Sequence, residues 1–488
     1  MQVTIDQYRR VAAKEMADDY TQRFLKLLPV RLAERRRQAY ADFADPALAQ
    51  KKGAAIRARA LADLPRLLER FEEKARAAGA RVFWADDAAA ANRYIVDLAR
   101  KNGIAYVTKG KSMITEEIGL NEALASAGIR AYETDLGEFI TQLLERPPFH
   151  IVGPAINIPV SRISRLFQEK GVTGGPEEDP VKLGMAARRF LRERFRHLEM
   201  GVTGVNLAVA ETGSLINVEN EGNIRLSKSS PRIQAAVMSI EKVVPDMESA
   251  LHLIRLLCRS CTGQAMSAYV SMDNGPKTDN ALDGPEELHI VILDNGRTRI
   301  YQDPETRDAL RCIRCGACLN ACPIYGKIGG YPYGWAYSGP MGQVLSPLLL
   351  GLEHSRDLFD ACTLCKRCSS ICPVGIDHSR LLLYYRQQNA AGDPVLNGGG
   401  TAFTENVLYL SYAYIARHPR LWRVFAAGVQ KTLNRCARDG KIRRGPRGLS
   451  GWFSSRDLPE MAGGSFHSQW RRIRHQSKSP KPGRQREP

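Results

Sequence analysis

Two runs of cysteines carry the strongest chemical signal in this sequence. They consist of Cys312, Cys315, Cys318 and Cys322, and of Cys362, Cys365, Cys368 and Cys372. A proline follows each run, so both read C-x2-C-x2-C-x3-C-P, the bacterial pattern for cysteine-ligated iron–sulfur clusters. Thiolates at this spacing can surround one face of a cubane. The sequence therefore predicts two [4Fe–4S] clusters.

The fourth cysteine of each run is expected to cross to the other cluster, as it does in two-cluster proteins. The predicted ligand sets are Cys312, Cys315, Cys318 and Cys372 for the first cluster, and Cys322, Cys362, Cys365 and Cys368 for the second. Zinc and disulfide bonds are the alternatives. Structural zinc usually takes its ligands from two separated pairs, and disulfides typify small secreted scaffolds, so both alternatives are disfavoured.

The bulk properties are those of a globular protein in a reducing compartment. The 488 residues are 44% hydrophobic and 25% charged, which suffices for two or three domains. Eleven cysteines indicate that thiols stay reduced, and the N-terminus shows no signal-peptide pattern. Because no apolar stretch approaches the length of a membrane span, we expect a soluble, cytoplasmic protein.

Positive charge is concentrated near the C-terminus. The net charge is +18, and residues 435–488 hold fourteen Lys and Arg against four Asp and Glu. Such a tail attracts nucleic acid or an anionic membrane surface, but it more often forms a solvated or partner-docking segment. No basic groove with stacking aromatic residues accompanies it, so we expect no nucleic-acid partner and retain peripheral membrane contact as an alternative.

The elements that position the cysteines follow from periodicity. Short apolar runs alternate with amphipathic helices between residues 80 and 304, which predicts a mixed α/β domain with a parallel sheet. The predicted strands are Arg81–Ala85, Ile104–Thr108, Ile129–Thr134, Phe149–Val152, Val205–Ala210, Gly213–Val218 and Ala235–Ile240. A hairpin is predicted from Ile290–Leu293 and Arg297–Tyr301, joined through Asn295 and Gly296.

Helical segments are predicted on both sides of this domain. Residues 1–79 form a helical N-terminal region, in which a helix over Ala54–Gly79 carries an apolar stripe. Within the α/β domain, helices are predicted to begin near Thr115 and at Asp135, and another to span Val181–Met200. Residues 305–392 form a helical domain around the cysteine runs, which roughly forty residues separate. Residues 401–476 are predicted to be helical and residues 477–488 to be disordered.

One candidate binding stretch lies between a strand and a helix. Lys109 and Lys111 follow the second predicted strand, where open α/β sheets bind ligands, and a helix N-terminus there could hold an anion. The alternative is that Thr115 caps the helix and both lysines are exposed. No Walker A or G-x-G-x-x-G pattern supports a nucleotide site.

Two further stretches contain candidate residues with structural alternatives. Glu211 could act as nucleophile or base beside Gly213, with Asn217–Asn223 after the next strand, or these residues could form two polar hairpin turns. Cys258 and Cys261 form a C-x2-C at a helix end. They could be a redox pair, but two ordinary buried cysteines are the better expectation.

With these motifs, the chain resembles the LutB family of bacterial iron–sulfur proteins over nearly its full length. The matching stretches are Lys111–Glu122, Glu133–Glu138, Gly201–Asn206, Ala210–Ser214, Asn220–Asn223, Ile240–Pro245, Gly284–His289, both cysteine runs, and Trp452, Arg456–Pro459, Ser465, Phe466 and Trp470. Asn157 stands where the family pattern has His, and Cys258 and Cys261 replace residues that are usually not cysteine.

The resemblance implies a LUD domain over residues 80–304, with a fold like NagB, ribose-phosphate isomerase and CoA-transferase proteins, and then an α-helical ferredoxin domain. It also implies a role in oxidising L-lactate to pyruvate with two partner subunits. We expect the clusters to pass electrons to a respiratory-chain acceptor, with the dehydrogenation centre on a partner because the sequence has no flavin fingerprint. Electron transfer for another substrate, of glycolate or heterodisulfide type, is one alternative. A regulatory or binding protein with structural clusters is the other.

Overall fold

The structure is a computed structural model that describes residues 3–444, 453 and 456–476. The chain divides into two compact units, one ending at Gly400 and the other beginning at Thr401. No helix in the described ranges is long and apolar enough to cross a membrane. The predicted disordered segment, residues 477–488, lies outside the described residues, as does Trp452.

Four helices begin the first unit: α1 Tyr8–Ala17, α2 Asp19–Tyr40, α3 Pro46–Ala62 and α4 Leu64–Ala77. The single helix predicted over Ala54–Gly79 is wrong, because the chain breaks at Asp63 and Pro65 begins a new first turn. The predicted apolar stripe is buried: Leu61, Leu64, Leu67, Leu68 and Phe71 are each 7% exposed or less. Burial of each large side chain stabilises the fold by roughly 1.5–3 kcal/mol.

The α/β region follows as a long alternation of helices and strands. Its elements are β1 Arg81–Ala85, α5 Ala88–Lys101, β2 Tyr106–Lys109, α6 Met113–Glu117, α7 Leu120–Ser126, β3 Arg130–Glu133, α8 Leu136–Leu143, α9 Val160–Glu169, α10 Pro180–Arg196, β4 Met200–Gly204, β5 Leu207–Val209, β6 Ser214–Glu219, α11 Asn223–Ser229, β7 Ile233–Ser239, β8 Val243–Val244, α12 Met247–Cys261, β9 Tyr269–Asp273, β10 Glu287–Leu293 and α13 Arg297–Gln302.

Six of these strands form one sheet in the order β1-β10-β7-β4-β2-β3, and every neighbouring pair is parallel. The predicted parallel sheet is thus confirmed. Strands β4, β7 and β10 are almost wholly buried, as expected for a parallel sheet covered on both faces. A second sheet, in the order β8-β5-β6-β9, lies beside it and is partly antiparallel.

Two predicted strands are wrong. Phe149–Val152 is a tight loop in which Phe149 N donates to Pro154 O at 2.9 Å, and its apolar side chain is buried against Tyr331. The predicted hairpin strand Arg297–Tyr301 is helix α13. Asn295 and Gly296 do adopt positive φ, 47° and 85°, but they lead into that helix. Since β10 lies between β1 and β7, both of its edges are already paired.

Other predictions differ at element boundaries. The helix predicted from Thr115 is two helices separated at Gly119, whose φ is 65°. The helix predicted to reach Met200 ends at Arg196, because Met200 begins strand β4. The N-cap at Asp135 is confirmed, since its Oδ1 accepts from Glu138 N at 3.1 Å.

The cysteine runs lie among short helices at the end of the first unit. These are α14 Ala317–Ala321, α15 Tyr325–Ile328, α16 Gly339–Leu350, α17 Arg356–Asp360, α18 Arg367–Ile371 and α19 His378–Ala391. Three short 3-10 helices also occur here, and residues 303–400, all of which the structure describes, contain no β-strand. The segment is thus helical and irregular, with apolar residues such as Tyr325, Leu345 and Phe359 buried.

The second unit contains two longer helices and small elements. They are α20 Phe403–Arg417, α21 Pro419–Asn434, β11 Ala437–Arg438, β12 Lys441–Ile442, β13 Leu458–Pro459 and α22 Phe466–Gln476. The three strands form an antiparallel sheet in the order β11-β12-β13. Helix α20 has no buried residue, and α21 buries only Leu433.

Candidate functional site

The two cysteine runs have the same backbone conformation. Arg314 and Leu364, which occupy the same position in each run, have φ of 60° and 55°. Gly316 and Lys366, two residues later, have φ of 83° and 60°. A five-residue helix then begins in each run, α14 or α18. L-residues adopt such φ rarely, and conformations of this kind persist where the surrounding structure holds a functional loop.

The cysteine side chains fall into two neighbouring groups. Cys312, Cys315, Cys318 and Cys372 all line one small cavity, and Cys312 lies close enough to Cys318 and Cys372 to raise the pKa of each. In the other group, Cys368 interacts with Cys322, Cys362 and Cys365. The structure thus brings the fourth cysteine of each run to the other run, as helices α14 and α18 pack together. Cys318 also lies in electrostatic range of Cys368, so the two groups adjoin.

These thiols fit a cluster ligand set. Burial raises the pKa of Cys322 and Cys372 to about 11 and that of Cys368 to about 12, and neighbouring cysteines add to the rise. Gathered thiolates therefore need a cationic centre, which iron would supply. Backbone N–H groups already point at the sulfurs: Arg314 N to Cys312 Sγ at 3.3 Å, Leu364 N to Cys362 Sγ at 3.3 Å and Ile376 N to Cys372 Sγ at 3.4 Å.

Gly316 should be intolerant of any side chain. A Cβ there would lie 3.2 Å from Cys261 Sγ and from Val152 Cγ2, at a φ that costs an L-residue about 1–2 kcal/mol. We expect Gly316→Ala to lower the free energy of unfolding by at least that amount, measured by urea unfolding under anaerobic conditions. Lys366→Ala is the matched control, because Lys366 already carries a Cβ at the corresponding position. Equal effects of both substitutions would contradict this reading of the loop.

An ion-pair network joins the first cysteine run to the α/β region. Arg314 Nη2 donates to Glu241 Oε1 at 3.0 Å, and Glu241 also lies 3.1 Å from Arg297 Nε. Arg297 in turn forms a bidentate pair with Glu117, at 2.8 and 2.6 Å. Burial alone would raise the pKa of Glu241, but Arg297 and Arg314 lower it to about 2. The loop that carries Cys312 and Cys315 is therefore held by charges of the α/β region.

A cavity of about 260 Å³ lies where these two regions meet. It opens at the carboxyl ends of β2, β4 and β7, the edge at which parallel sheets bind ligands. Its polar and cysteine lining residues include Lys111, Asp135, Asn206, Asn217, Glu219, Glu221, Lys242, Cys258, Cys261, Arg314 and Cys315. Apolar side chains such as Met113, Ile151 and Val205 complete the wall. The cavity thus reaches from the sheet to a cysteine of the first group.

The predicted lysines occupy different environments. Lys111 lines the cavity, where its Nζ donates to Asp135 Oδ2 at 2.9 Å and to Val152 O at 3.1 Å. Lys109 is fully buried and paired with Glu116 and with Glu133, the latter at 2.7 Å. Although burial alone would lower the pKa of Lys109, these carboxylates raise it above its ordinary value. Lys109 is therefore placed as a structural ion pair, and Ser112, not Thr115, caps helix α6.

The other candidates are also separated by the structure. Glu211 is exposed on the β5–β6 turn, outside the cavity, and its Oε2 accepts from Met247 N at 3.3 Å. The backbone of Lys74 and Ala75, in helix α4, packs directly against Gly213 where a side chain would lie. Gly213 therefore permits close packing of a helix and does not contact a ligand. Asn157 pairs with the Tyr331 hydroxyl at 3.3 Å. Cys258, Cys261 and several of the residues 217–223 do line the cavity.

Lys242, Arg314 and Glu241 were missed as site residues by sequence reasoning. Arg314 lies inside the first cysteine run, and Glu241 and Lys242 belong to the Ile240–Pro245 stretch, which matches the family pattern. Their positions in these stretches could have marked them as candidate site residues. Charge and spacing alone, however, do not show that a buried glutamate faces the loop of the first cysteine run. Tertiary packing between β7 and the first run supplies that information.

Comparison with known proteins agrees with this arrangement. Three family models match in order: LUD domain over residues 68–293, 4Fe-4S dicluster domain over 308–376, and lactate utilisation protein B, C-terminal, over 383–475. A relative from Macrococcus caseolyticus, "Lactate utilization protein B", is 37% identical over 94% of this chain and 95% of its own. The chain belongs to the lactate utilization protein B family.

Other relatives extend this picture. A "Lactate utilization protein B" from Shouchella clausii is 41% identical over 83% of this chain and 84% of its own. An Escherichia coli relative, "Uncharacterized electron transport protein YkgF", is 41% identical over 88% and 89%. Among solved structures, a DUF162 family protein from Deinococcus radiodurans covers 47% of this chain and 98% of its own at 12% identity. Its TM-score of 0.27 is too low to support a fold assignment. Family membership thus supports [4Fe–4S] binding and electron transfer.

Proposed function

We propose that this chain is the iron–sulfur electron-transfer subunit of a complex that oxidises L-lactate to pyruvate, with two [4Fe–4S] clusters. The observation that carries the proposal is the serial arrangement of three sites. A cavity is lined by Cys315, the group containing Cys315 adjoins the second group through Cys318 and Cys368, and Cys365 of the second group is exposed. A [4Fe–4S] cluster takes up and releases single electrons, which suits dividing the two electrons of lactate oxidation.

The chain's own residues would hold the clusters and control their surroundings. The first group, Cys312, Cys315, Cys318 and Cys372, lines a small cavity with apolar walls that include Ile313, Leu319 and Val374. Such walls exclude water, and the N–H groups aimed at the sulfurs stabilise negative charge. Both factors set reduction potentials. No flavin fingerprint is present, so the dehydrogenation centre is assigned to a partner.

Partner contact is proposed for the second unit. The side chains of Phe403, Leu408, Leu410 and Tyr414 on helix α20 are 60–82% exposed. A helix that exposes this many large apolar side chains is normally covered, so we assign this surface to one of two partner subunits. We also propose a cytoplasmic location, since free thiols need a reducing compartment, and a NagB-like topology for the LUD domain, consistent with its six-stranded parallel sheet.

The test is lactate-dependent cluster reduction. The chain is purified anaerobically with its partner subunits and mixed with L-lactate, and electron paramagnetic resonance is recorded. We expect the signals of reduced [4Fe–4S] clusters to appear with L-lactate and to be absent without it. Glycolate serves as the comparison substrate, since a larger response to glycolate would favour the alternative substrate class. Clusters that stay oxidised with L-lactate and all partners present would exclude the proposal.

A further inference from the structure

The cavity contains two hydrogen-bond donors that the protein leaves unused. Lys242 follows strand β7 and lines the cavity, yet its ammonium makes no hydrogen bond or ion pair with any described residue. The Asn206 amide follows strand β4, the neighbour of β7. Its Oδ1 accepts from Val218 N at 2.9 Å, which fixes the amide orientation and leaves Nδ2 without a partner among the described residues. Donors in such a position are available to a ligand.

The other cations of the cavity already have carboxylate partners, and its remaining carboxylates are hydrogen-bonded to the backbone. Lys111 binds Asp135, Arg314 binds Glu241, and the Glu219 carboxylate accepts the N–H groups of Ile224 and Arg225 at 2.7 and 2.9 Å. Glu221 accepts from Leu136 N at 3.0 Å. Accepting backbone N–H groups does not neutralise Glu219 or Glu221, but it occupies their oxygens. The charged donor left for an incoming molecule is therefore the ammonium of Lys242. It favours an anion.

The volume of the cavity and its apolar wall restrict the kind of anion that it can bind. Pockets for drug-sized ligands begin at about 300 Å³, so a cavity of 260 Å³ takes a smaller molecule and not a dinucleotide. The apolar wall of Met113, Ile151 and Val205 suits a short hydrocarbon group. The ligand therefore needs a carboxylate to pair with Lys242, an oxygen to accept from Asn206 Nδ2, and a short alkyl group. A small 2-hydroxy or 2-oxo carboxylic acid has all three.

We propose that this cavity binds a small 2-hydroxy or 2-oxo monocarboxylate, with Lys242 holding the carboxylate and Asn206 donating to the oxygen on C2. The inference rests on the proposed function for its choice of acid, L-lactate or pyruvate. It places the acid beside Cys315, so that a bound molecule lies against the loop of the first cluster. The site is a binding site; the inference assigns it no bond-breaking step.

The test measures binding to the purified chain with its clusters intact, in the absence of partners. Isothermal titration is carried out with L-lactate, pyruvate, propionate, which lacks the C2 oxygen, and 1,2-propanediol, which lacks the carboxylate. We expect both acids to bind, propionate to bind more weakly and the diol not to bind. Lys242→Gln should weaken the binding of both acids about tenfold or more, because a charge-assisted hydrogen bond is lost.

Two variants separate binding from folding. Lys242→Arg keeps the charge and should retain more affinity than Lys242→Gln, while Lys101→Gln, on the exposed end of α5, should bind as the wild-type chain does. Asn206→Ala should lose the preference for L-lactate over propionate. Binding by pyruvate should also shift the electron paramagnetic resonance signal of the cluster held by Cys315. A wild-type chain that binds neither acid, or binds the diol equally well, overturns the inference without use of any variant.

The outcome is distinguishable from that of the proposed function. If the acids bind through Lys242 but L-lactate fails to reduce the clusters in the complete complex, the electron-transfer proposal fails and the binding site stands. If reduction occurs while the chain binds neither acid, the binding site fails and the electron-transfer proposal stands.

Discussion

Replacement of Cys372 by Ala should remove the cluster whose other ligands lie in the first run, about sixty residues earlier in the sequence. The physical reason is the crossing of the chain, because Cys372 lines the same small cavity as Cys312, Cys315 and Cys318. Cys372→Ala and Cys312→Ala should therefore abolish the same electron paramagnetic resonance signal. About half of the iron and acid-labile sulfide should remain in each variant, because one of two cubanes is left.

The reciprocal variant provides the control. Cys322→Ala should abolish the signal that Cys362→Ala abolishes, since Cys322 interacts with Cys362 and Cys365. Cys436→Ala, an exposed cysteine of the second unit, should change neither the iron content nor the spectrum. If Cys372→Ala and Cys362→Ala removed the same signal, each run would build its own cluster, and the crossed ligand sets would be refuted.

The cluster ligands could be predicted from the cysteine pattern because most ligands of one cluster lie within a few residues of one another in the sequence. Spacing within each run determines which thiols can share one cubane, and the structure adds that both runs use the same two positive-φ positions. Glycine at residue 316 hints at such a position. Lysine at residue 366 does not predict a positive φ, because lysine has no preference for the left-handed region. The surrounding structure holds this exposed residue in that conformation.

The parallel sheet was also predictable, since buried runs such as Ile233–Ser239 alternate with amphipathic helices. Where prediction failed, a long-range contact overrode a local signal. Asn295 and Gly296 favour a hairpin, but the strand before them is paired on both edges, so the chain turns into α13 instead. Phe149 reads as part of a strand because it is apolar, whereas it is buried against aromatic residues of the cluster region.

The candidate site shows the same division. The sequence alone does not distinguish Lys109 from Lys111, because both are lysines at the end of the same predicted strand. Only the fold shows that the strand direction buries Lys109 among Glu116 and Glu133 and directs Lys111 to the cavity. Lys242 could not be selected at all from sequence, because its significance is the lack of a partner among the described residues. That property depends on every neighbour that packing brings near.

Among the substitutions considered, Glu241→Gln should lower the free energy of unfolding most, because it leaves the buried guanidinium of Arg314 without its carboxylate. Glu241 and Arg297 have no exposed side-chain surface, and the Arg314 side chain is 9% exposed. The contact between Arg297 Nε and Glu241 Oε2 is a Coulombic ion pair at 3.1 Å without hydrogen-bond geometry. Removing one member of a buried ion pair costs about 3–5 kcal/mol. Arg297 retains Glu117, so most of the cost arises at Arg314, whose remaining bond is to Cys312 O at 3.4 Å.

The measurement is urea unfolding at pH 7, where the contribution of Glu241 is complete. The pKa of this carboxyl falls from 4.5 to about 2 on folding, so its stabilisation is present above about pH 4.5 and is lost as the pH falls toward 2. Glu248→Gln is the matched control, because Glu248 pairs with Lys52 on the exposed surface at 2.7 Å and should leave the unfolding free energy little changed. Since Arg314 lies between Cys312 and Cys315, Glu241→Gln should also alter the spectrum of the first cluster and spare the second. Equal stability of the two variants would show that the network does not anchor the cluster loop.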